Sequence, residues 1–175
     1  MDLFVIPECY VDTNLIETLV PTVTGYNHQK GCGTVAKVMN QKFADRFAVG
    51  IIDKDKKALK YLEDFTEVCR SESLILHKHN TRHHYFVQIF PAVEKFILEG
   101  VRTSNLTLAR FGLPDDLAQF KKISKTVNSK QDPRFRHLFK AMKKCGVVEI
   151  LRLAAWITYL KENQYHADIS TLKGL

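Results

Sequence analysis

The chain is poor in cysteine and has no paired cysteine motif. Cys9, Cys32, Cys69 and Cys145 are scattered over 175 residues without a CxxC pair, which argues against a zinc ribbon and against a disulfide scaffold. No apolar run has the length of a transmembrane helix or the layout of a signal peptide. A cytoplasmic protein with reduced thiols and no membrane partner is therefore expected. Low-complexity tracts and internal repeats are also missing, which excludes solenoid arrays and long disordered segments. None of Tyr10, Tyr26, Tyr61, Tyr85, Tyr159 and Tyr165 stands in a local context that marks a nucleophile.

With 45% apolar residues, the chain is long enough to bury a sizeable core and reads as one ordinary globular unit. Lys and Arg outnumber Asp and Glu by 26 to 19, a net charge of +7. An excess of this sign points to a polyanionic partner, with nucleic acid (DNA or RNA) the first class to consider. A protein partner or a second copy of the chain is the other class.

The first half alternates strand and helix signals. Leu3 to Pro7 reads as a strand, followed by Val11 to Val20 with apolar residues at helical spacing and Asp12 or Thr13 as N-cap. Thr22 to Tyr26 is a weak β-branched stretch. His28-Gln29-Lys30-Gly31-Cys32-Gly33 then turns into the amphipathic segment Thr34 to Phe43, and Arg46 to Ile52 gives another strand. Lys56 to Phe65 reads as a helix or an ordered turn. Strands also come from Ser73 to His77 and Tyr85 to Phe90, with a helix from Pro91 to Glu99. Short connections between alternating elements imply a largely parallel, doubly wound sheet, because parallel neighbours need a crossover of about a dozen residues. Beyond this point Asn105 to Arg110, Pro114 to Val127, Pro133 to Cys145 and Val147 to Asn163 look helical, with 128–132 as a loop. The expected organisation is an α/β domain over 1–100 and a helical extension over 101–175 packing on it.

Two acidic clusters follow apolar runs. Glu8 closes Leu3-Phe4-Val5-Ile6-Pro7, while Asp53 and Asp55 close Ala48-Val49-Gly50-Ile51-Ile52. In an open α/β sheet both runs end at the carboxyl edge, where such folds place their ligands. An oxygen-only set favours Mg²⁺ or Mn²⁺ over zinc. Phosphodiester cleavage accumulates negative charge around phosphorus, and carboxylate-held metal ions screen that charge and activate water. Asp53 and Asp55 are the candidate metal ligands, and Glu8 either completes the shell or acts as general base. The plain alternative for Asp53-Lys54-Asp55-Lys56-Lys57 is a charged turn capping a strand.

These residues resemble the two signatures of the Toprim domain of topoisomerases, primases and several nucleases. In that family a strand ends in Glu, with an acid a few positions on, and a later strand ends in Asp-x-Asp. The resemblance covers about the first half of the chain and is closest in style to small stand-alone Toprim proteins and the overcoming-lysogenization-defect nucleases. It implies a compact Rossmann-like α/β fold, phosphoryl chemistry at Glu8, Mg²⁺ at Asp53 and Asp55, and Asp12 as the acidic follower. The resemblance also makes Glu94 a candidate for an additional acid of the kind those nucleases use. Cys9 stands where the family usually has Gly, so the turn after the strand must be made with a side chain present. A second resemblance, of Tyr10-Val11-Asp12-Thr13-Asn14-Leu15-Ile16 to the opening of PIN-type ribonucleases, makes Tyr10 and Val11 the strand and centres a metal site on Asp12.

His77, His79, His83 and His84 lack acids or cysteines at zinc spacing, so they read as a polar turn or a phosphate-contacting loop with Lys78 and Arg82. Lys54, Lys56 and Lys57 flank the acidic motif. Lys121, Lys122, Lys125, Arg134 and Arg136 fall at helical spacing that can form a positive stripe along a nucleic-acid backbone, together with Lys130, Lys140, Lys143 and Lys144. The function expected is Mg²⁺-dependent phosphodiester chemistry, with a nuclease favoured. A non-catalytic Toprim-like module that binds nucleic acid or protein is the competing reading.

Overall fold

The structure, a computed structural model, describes residues 2–54 and 59–175. Five strands form one sheet in the order β1-β2-β5-β4-β3, with β1 Val5–Pro7, β2 Ala48–Asp53, β3 Phe65–Arg70, β4 Leu74–His79 and β5 His84–Ile89. β1 and β5 both run parallel to β2, whereas β4 runs antiparallel to β5 and to β3. The sheet is thus mixed, which corrects the largely parallel arrangement expected. The reason is local: β3, β4 and β5 follow one another through short turns, and short turns permit only antiparallel neighbours. β3 was hidden because its apolar residues are few; Thr66 and Glu67 are exposed on an edge strand.

Alternation along the strands sends successive side chains to opposite faces. Val5, Val49, Ile51, Tyr85, Val87 and Ile89 join the larger core. Ile6, Ala48, Ile52 and Phe86 join the smaller one, covered by α2 (Cys32–Lys37) and the π-helical continuation Val38–Phe43. Gly50 faces this second layer, where an added Cβ would lie 2.5 Å from Phe86 Cε1 and 2.7 Å from Met39 Sδ. Only a residue without a side chain lets β2 approach that closely.

The larger core is closed by α1 (Tyr10–Leu19), α3 (Val93–Thr103), α4 (Leu117–Ser124), α5 (Pro133–Lys144) and α6 (Val148–Asn163), with Phe120, Phe135, Leu138, Phe139 and Trp156 all buried. Apolar side chains from both 1–100 and 101–175 share it. The short helix α7 (Ile169–Gly174) lies beside β3 and buries Leu172, whose carbonyl accepts from Trp156 Nε1 at 3.1 Å. Asp116 caps α4, and Asp132 caps α5 ahead of Pro133, as the orphan N–H groups of a first turn require.

Several expected boundaries shift. Thr22 to Tyr26 contributes only a single bridge, between Asp2 and Tyr26. Lys60–Asp64 is a 3₁₀ turn leading into β3, and Val127–Lys130 is a 3₁₀ turn where a loop was expected. Helix over Asn105 to Arg110 reduces to the 3₁₀ turn Ala109–Phe111, since Asn105 takes a left-handed conformation at φ 53°. Among the described residues no helix is long and apolar enough to cross a membrane.

Candidate metal centre

β1 and β2 are parallel neighbours, so their carboxyl ends meet at one edge, and the hydrogen bonding continues past both strands. Glu8 N–H donates to Ile51 O at 3.0 Å, and Lys54 N–H donates to Ile89 O at 2.9 Å. Glu8 then folds its side chain across to β2, where Oε2 accepts from the backbone N–H of Asp53 at 2.9 Å. Asp53 in turn accepts at Oδ1 from Val93 N–H, at 2.8 Å, in the first turn of α3. That N–H is one of the orphan donors of a helix start, and a carboxylate is its natural acceptor.

Asp12 and Glu94 reach the same place from the helices. Asp12 is fully buried in the first turn of α1; its Oδ2 accepts from Cys9 N–H at 3.1 Å, while Asp12 N–H donates to Cys9 Sγ at 3.4 Å, a reciprocal cap. Cys9 is extended, at φ −127° and ψ 173°. The turn after Glu8 therefore asks for no left-handed residue, and a side chain fits where the family resemblance has glycine. Glu94, 5% exposed, accepts from Ser124 Oγ at 2.8 Å. Asp12 Oδ1 has no hydrogen-bond partner among the described residues.

Electrostatics ties these groups together. Burial, then the charges of Asp12 and Glu8, push the Asp53 carboxyl from 3.8 up to about 8, against the pull of the Val93 N–H. Burial also pushes Asp12 up to about 7, with Glu8 and Glu94 adding to it and the Cys9 hydrogen bonds opposing it. Both shifts follow from packing carboxyls together in a site of low dielectric. Burial and the neighbouring Asp12 likewise keep the Cys9 thiol protonated, so it is no nucleophile. Among the described residues no ion pair reaches Asp12, Asp53 or Glu94.

The structure thus brings Glu8, Asp12, Asp53 and Glu94 into one electrostatic cluster. Asp55, Lys56 and Lys57 lie outside the described residues. Among the described residues no group of three or more His, Cys, Asp or Glu side chains is disposed to hold a metal ion. Glu8, Asp12, Asp53 and Glu94 each direct an oxygen at a protein donor instead. The donor chemistry nonetheless suits a hard cation: all oxygen, acidic, with one buried oxygen, Asp12 Oδ1, lacking a hydrogen-bond partner among the described residues. The second resemblance fares differently. Tyr10 and Val11 belong to the first turn of α1, so the strand that a PIN-type opening needs is absent there, although Asp12 itself sits in the cluster.

His28 was not singled out in the sequence beyond its place in a Gly-rich turn. Thr13 Oγ1 donates to Cys9 O at 2.7 Å, so in the 3.1 Å contact with His28 Nδ1 the ring N–H is the donor. Nε2 then carries a lone pair, buried and without a partner among the described residues. Burial, with the charge of Lys130, lowers the pKa of this ring, which stacks on Tyr10 at 4.4 Å. Ser124, the partner of Glu94, lies thirty residues away in sequence and left no local signal.

The remaining candidates separate into free and engaged groups. Lys54 is exposed with its ammonium over the Phe90 ring, and Lys122 and Lys125 are exposed, while Lys121 is half-buried. Lys78 donates to His79 O and Arg82 O, and Arg82 donates to Asn40 Oδ1 at 2.6 Å, so both brace the β4–β5 turn. Arg134 is paired with Asp132 at 2.7 Å and also donates to Gly112 O. Arg136 is half-buried beside a cavity. Three of the histidines are engaged within the fold: His77 bonds Gln88, His79 Nδ1 accepts from Thr81 and Arg82 N–H, and His84 bridges Arg46 O and Tyr61 OH, while His83 sets its ring edge-on to Tyr165. No family model, curated protein or solved structure matches the chain.

Proposed function

We propose that the protein carries out Mg²⁺- or Mn²⁺-dependent phosphodiester chemistry on nucleic acid, as a nuclease with a Toprim-like site. The observation that supports this reading most is the cluster of Glu8, Asp12, Asp53 and Glu94 at the carboxyl edge of two parallel strands, with Asp12 and Glu94 buried and Glu8 and Asp53 half-buried. The raised carboxyls of Asp12 and Asp53 support a site suited to a positive charge, because a cation relieves the repulsion between acids packed together. Glu8 and Asp53 are the rim residues that would hold the ion, with Asp12 behind them and Asp55 as the second member of Asp-x-Asp. The ion would supply charge screening and an activated water. The chain's own part is positional: the Val93 N–H and Asp53 N–H orient Asp53 and Glu8, and Ser124 orients Glu94.

A second reading, a non-catalytic module that binds nucleic acid or a protein, draws support from the way each carboxyl is already tied to a protein donor. Incubating labelled DNA and RNA with Mg²⁺, Mn²⁺ or EDTA separates the two. Cutting is expected with metal, absent in EDTA and lost in Asp53→Ala and Glu8→Gln while strand binding persists. Metal-dependent cutting that is unchanged in Asp53→Ala would overturn the site, and binding without any cutting would leave the module.

A further inference from the structure

A cavity of about 510 Å³ opens between the C-terminal half of α1, the loop 21–25 and α5, and Lys130, Arg136 and Lys140 line it. The hydroxyl-bearing Thr22 and Thr24 face them. Among the described residues none of the three cations takes part in an ion pair. Among the described residues Glu17 is the one acid on the wall, and it already accepts from the Tyr26 N–H. Neighbouring cations are engaged in the structure instead: Arg134 with Asp132, and Lys143 with Leu19 O at 2.9 Å. Concentrating three unpaired cations in one concave space is unfavourable unless an anion enters.

The position of Lys130 is built into the fold. Asn14, fully buried on α1, donates from Nδ2 to Ser129 O at 2.8 Å and Asp132 O at 3.1 Å. This clamp pins the chain on both sides of Lys130. Lys130 also lines the adjoining cleft formed by 127–134, and its charge is felt at His28, whose ring contacts Thr13 one residue from Asp12. Lys130 is thus shared by the cavity and this cleft, on the side of the fold that leads towards the first turn of α1.

We propose that this cavity binds backbone phosphates of a nucleic-acid strand, with Lys130, Arg136 and Lys140 as the phosphate contacts. The shared ligand chemistry is a phosphate anion; the continuation into the second cleft favours a strand over a free phosphate. The proposal deepens the function above by locating the strand, but phosphate binding here needs neither metal nor the carboxyls.

The test is fluorescence anisotropy of a labelled single-stranded oligonucleotide in EDTA, where no cutting takes place. Lys130→Ala/Arg136→Ala/Lys140→Ala is compared with the exposed set Lys37→Ala/Lys42→Ala/Lys95→Ala, which changes net charge equally. The cavity variant should lose about 10- to 100-fold in affinity, and its salt dependence should flatten by about 2 in log–log slope, as loss of three phosphate contacts requires. Unchanged melting temperatures confirm folding. Equal weakening by the remote set would overturn the cavity as a site, and so would wild-type binding by the cavity variant. Complete displacement of the strand by submillimolar pyrophosphate would assign the cavity to a small phosphate ligand and overturn the strand. Loss of cutting in Asp53→Ala with this binding intact leaves both proposals standing, whereas failure of cutting alone affects only the reaction.

Discussion

Asp53→Asn is the most informative single change, because it removes a charge and keeps a shape. Asn Oδ1 still accepts from Val93 N–H, so the 2.8 Å bond that seats the residue survives. The folded carboxyl titrates at about 8 against an ordinary value of 3.8. A raised folded pKa means that the folded state holds a proton that the unfolded state has released. The stabilising contribution is therefore complete below pH 3.8 and disappears as pH rises through about 8. At about 1.4 kcal/mol per unit, a group bearing the whole shift alone would be strained by about 6 kcal/mol at pH 8.5. Sharing with Glu8, Asp12 and Glu94, and a partly open rim, bring the expected gain from Asp53→Asn to about 3 kcal/mol. Urea unfolding of metal-free protein should show this gain at pH 8.5 and no more than about 1 kcal/mol of it at pH 4.5. Histidine titrations cancel in the comparison with wild type. Millimolar Mg²⁺ should stabilise wild type at pH 8.5 and leave Asp53→Asn unmoved, since a ligand of the folded state adds stability only where it binds. Destabilisation by the change, or a gain independent of pH, would refute the buried carboxyl cluster.

Three further outcomes follow from the packing. Gly50→Ala drives a methyl to within 2.5 Å of the fully buried Phe86 ring; overpacking of this kind should lower the urea midpoint by about 1–3 kcal/mol of stability with the slope unchanged. Asn14→Ala deprives the Ser129 and Asp132 carbonyls of their donor and should cost about 3 kcal/mol, read by the same unfolding assay. His84 is held neutral: burial lowers it from 6.5 to about 4, against the Arg46 carbonyl that accepts from its Nε2–H. Here the folded pKa is depressed, so the stability it carries is present above 6.5 and lost as pH falls towards 4. A pH series with His84→Gln should flatten that acid limb by up to about 3 kcal/mol.

Much of the site was legible along the chain because its key residues mark strand ends. Glu8 and Asp53 each follow a run of buried apolar residues, and an apolar run closed by an acid is visible without coordinates. Asp12, expected with Thr13 as an N-cap candidate, instead sits at the third position of α1 and bonds back to the cap residue Cys9, while Glu94 was legible as a first-turn acid. The parts that escaped depend on partners distant in sequence. Ser124 reaches Glu94 across thirty positions, and His28 acquires its tautomer only from Thr13 and Cys9. Arg134 and Arg82 looked like groups available to a nucleic acid, but both are engaged by the protein itself, while Arg136, two residues on from Arg134, faces an open cavity.

What the amino-acid order determined by itself was the set of buried strands and helices, since burial of apolar residues at a period of 2 or 3.6 is a local property. It also determined that acids end β1 and β2. The tertiary structure alone decided the strand order, which sets β2 between β1 and β5, and it alone brought Glu8, Asp12, Asp53 and Glu94 within reach of one another's charge. Strand pairing and charge coupling both act through space between segments far apart in sequence, and no local pattern encodes those distances.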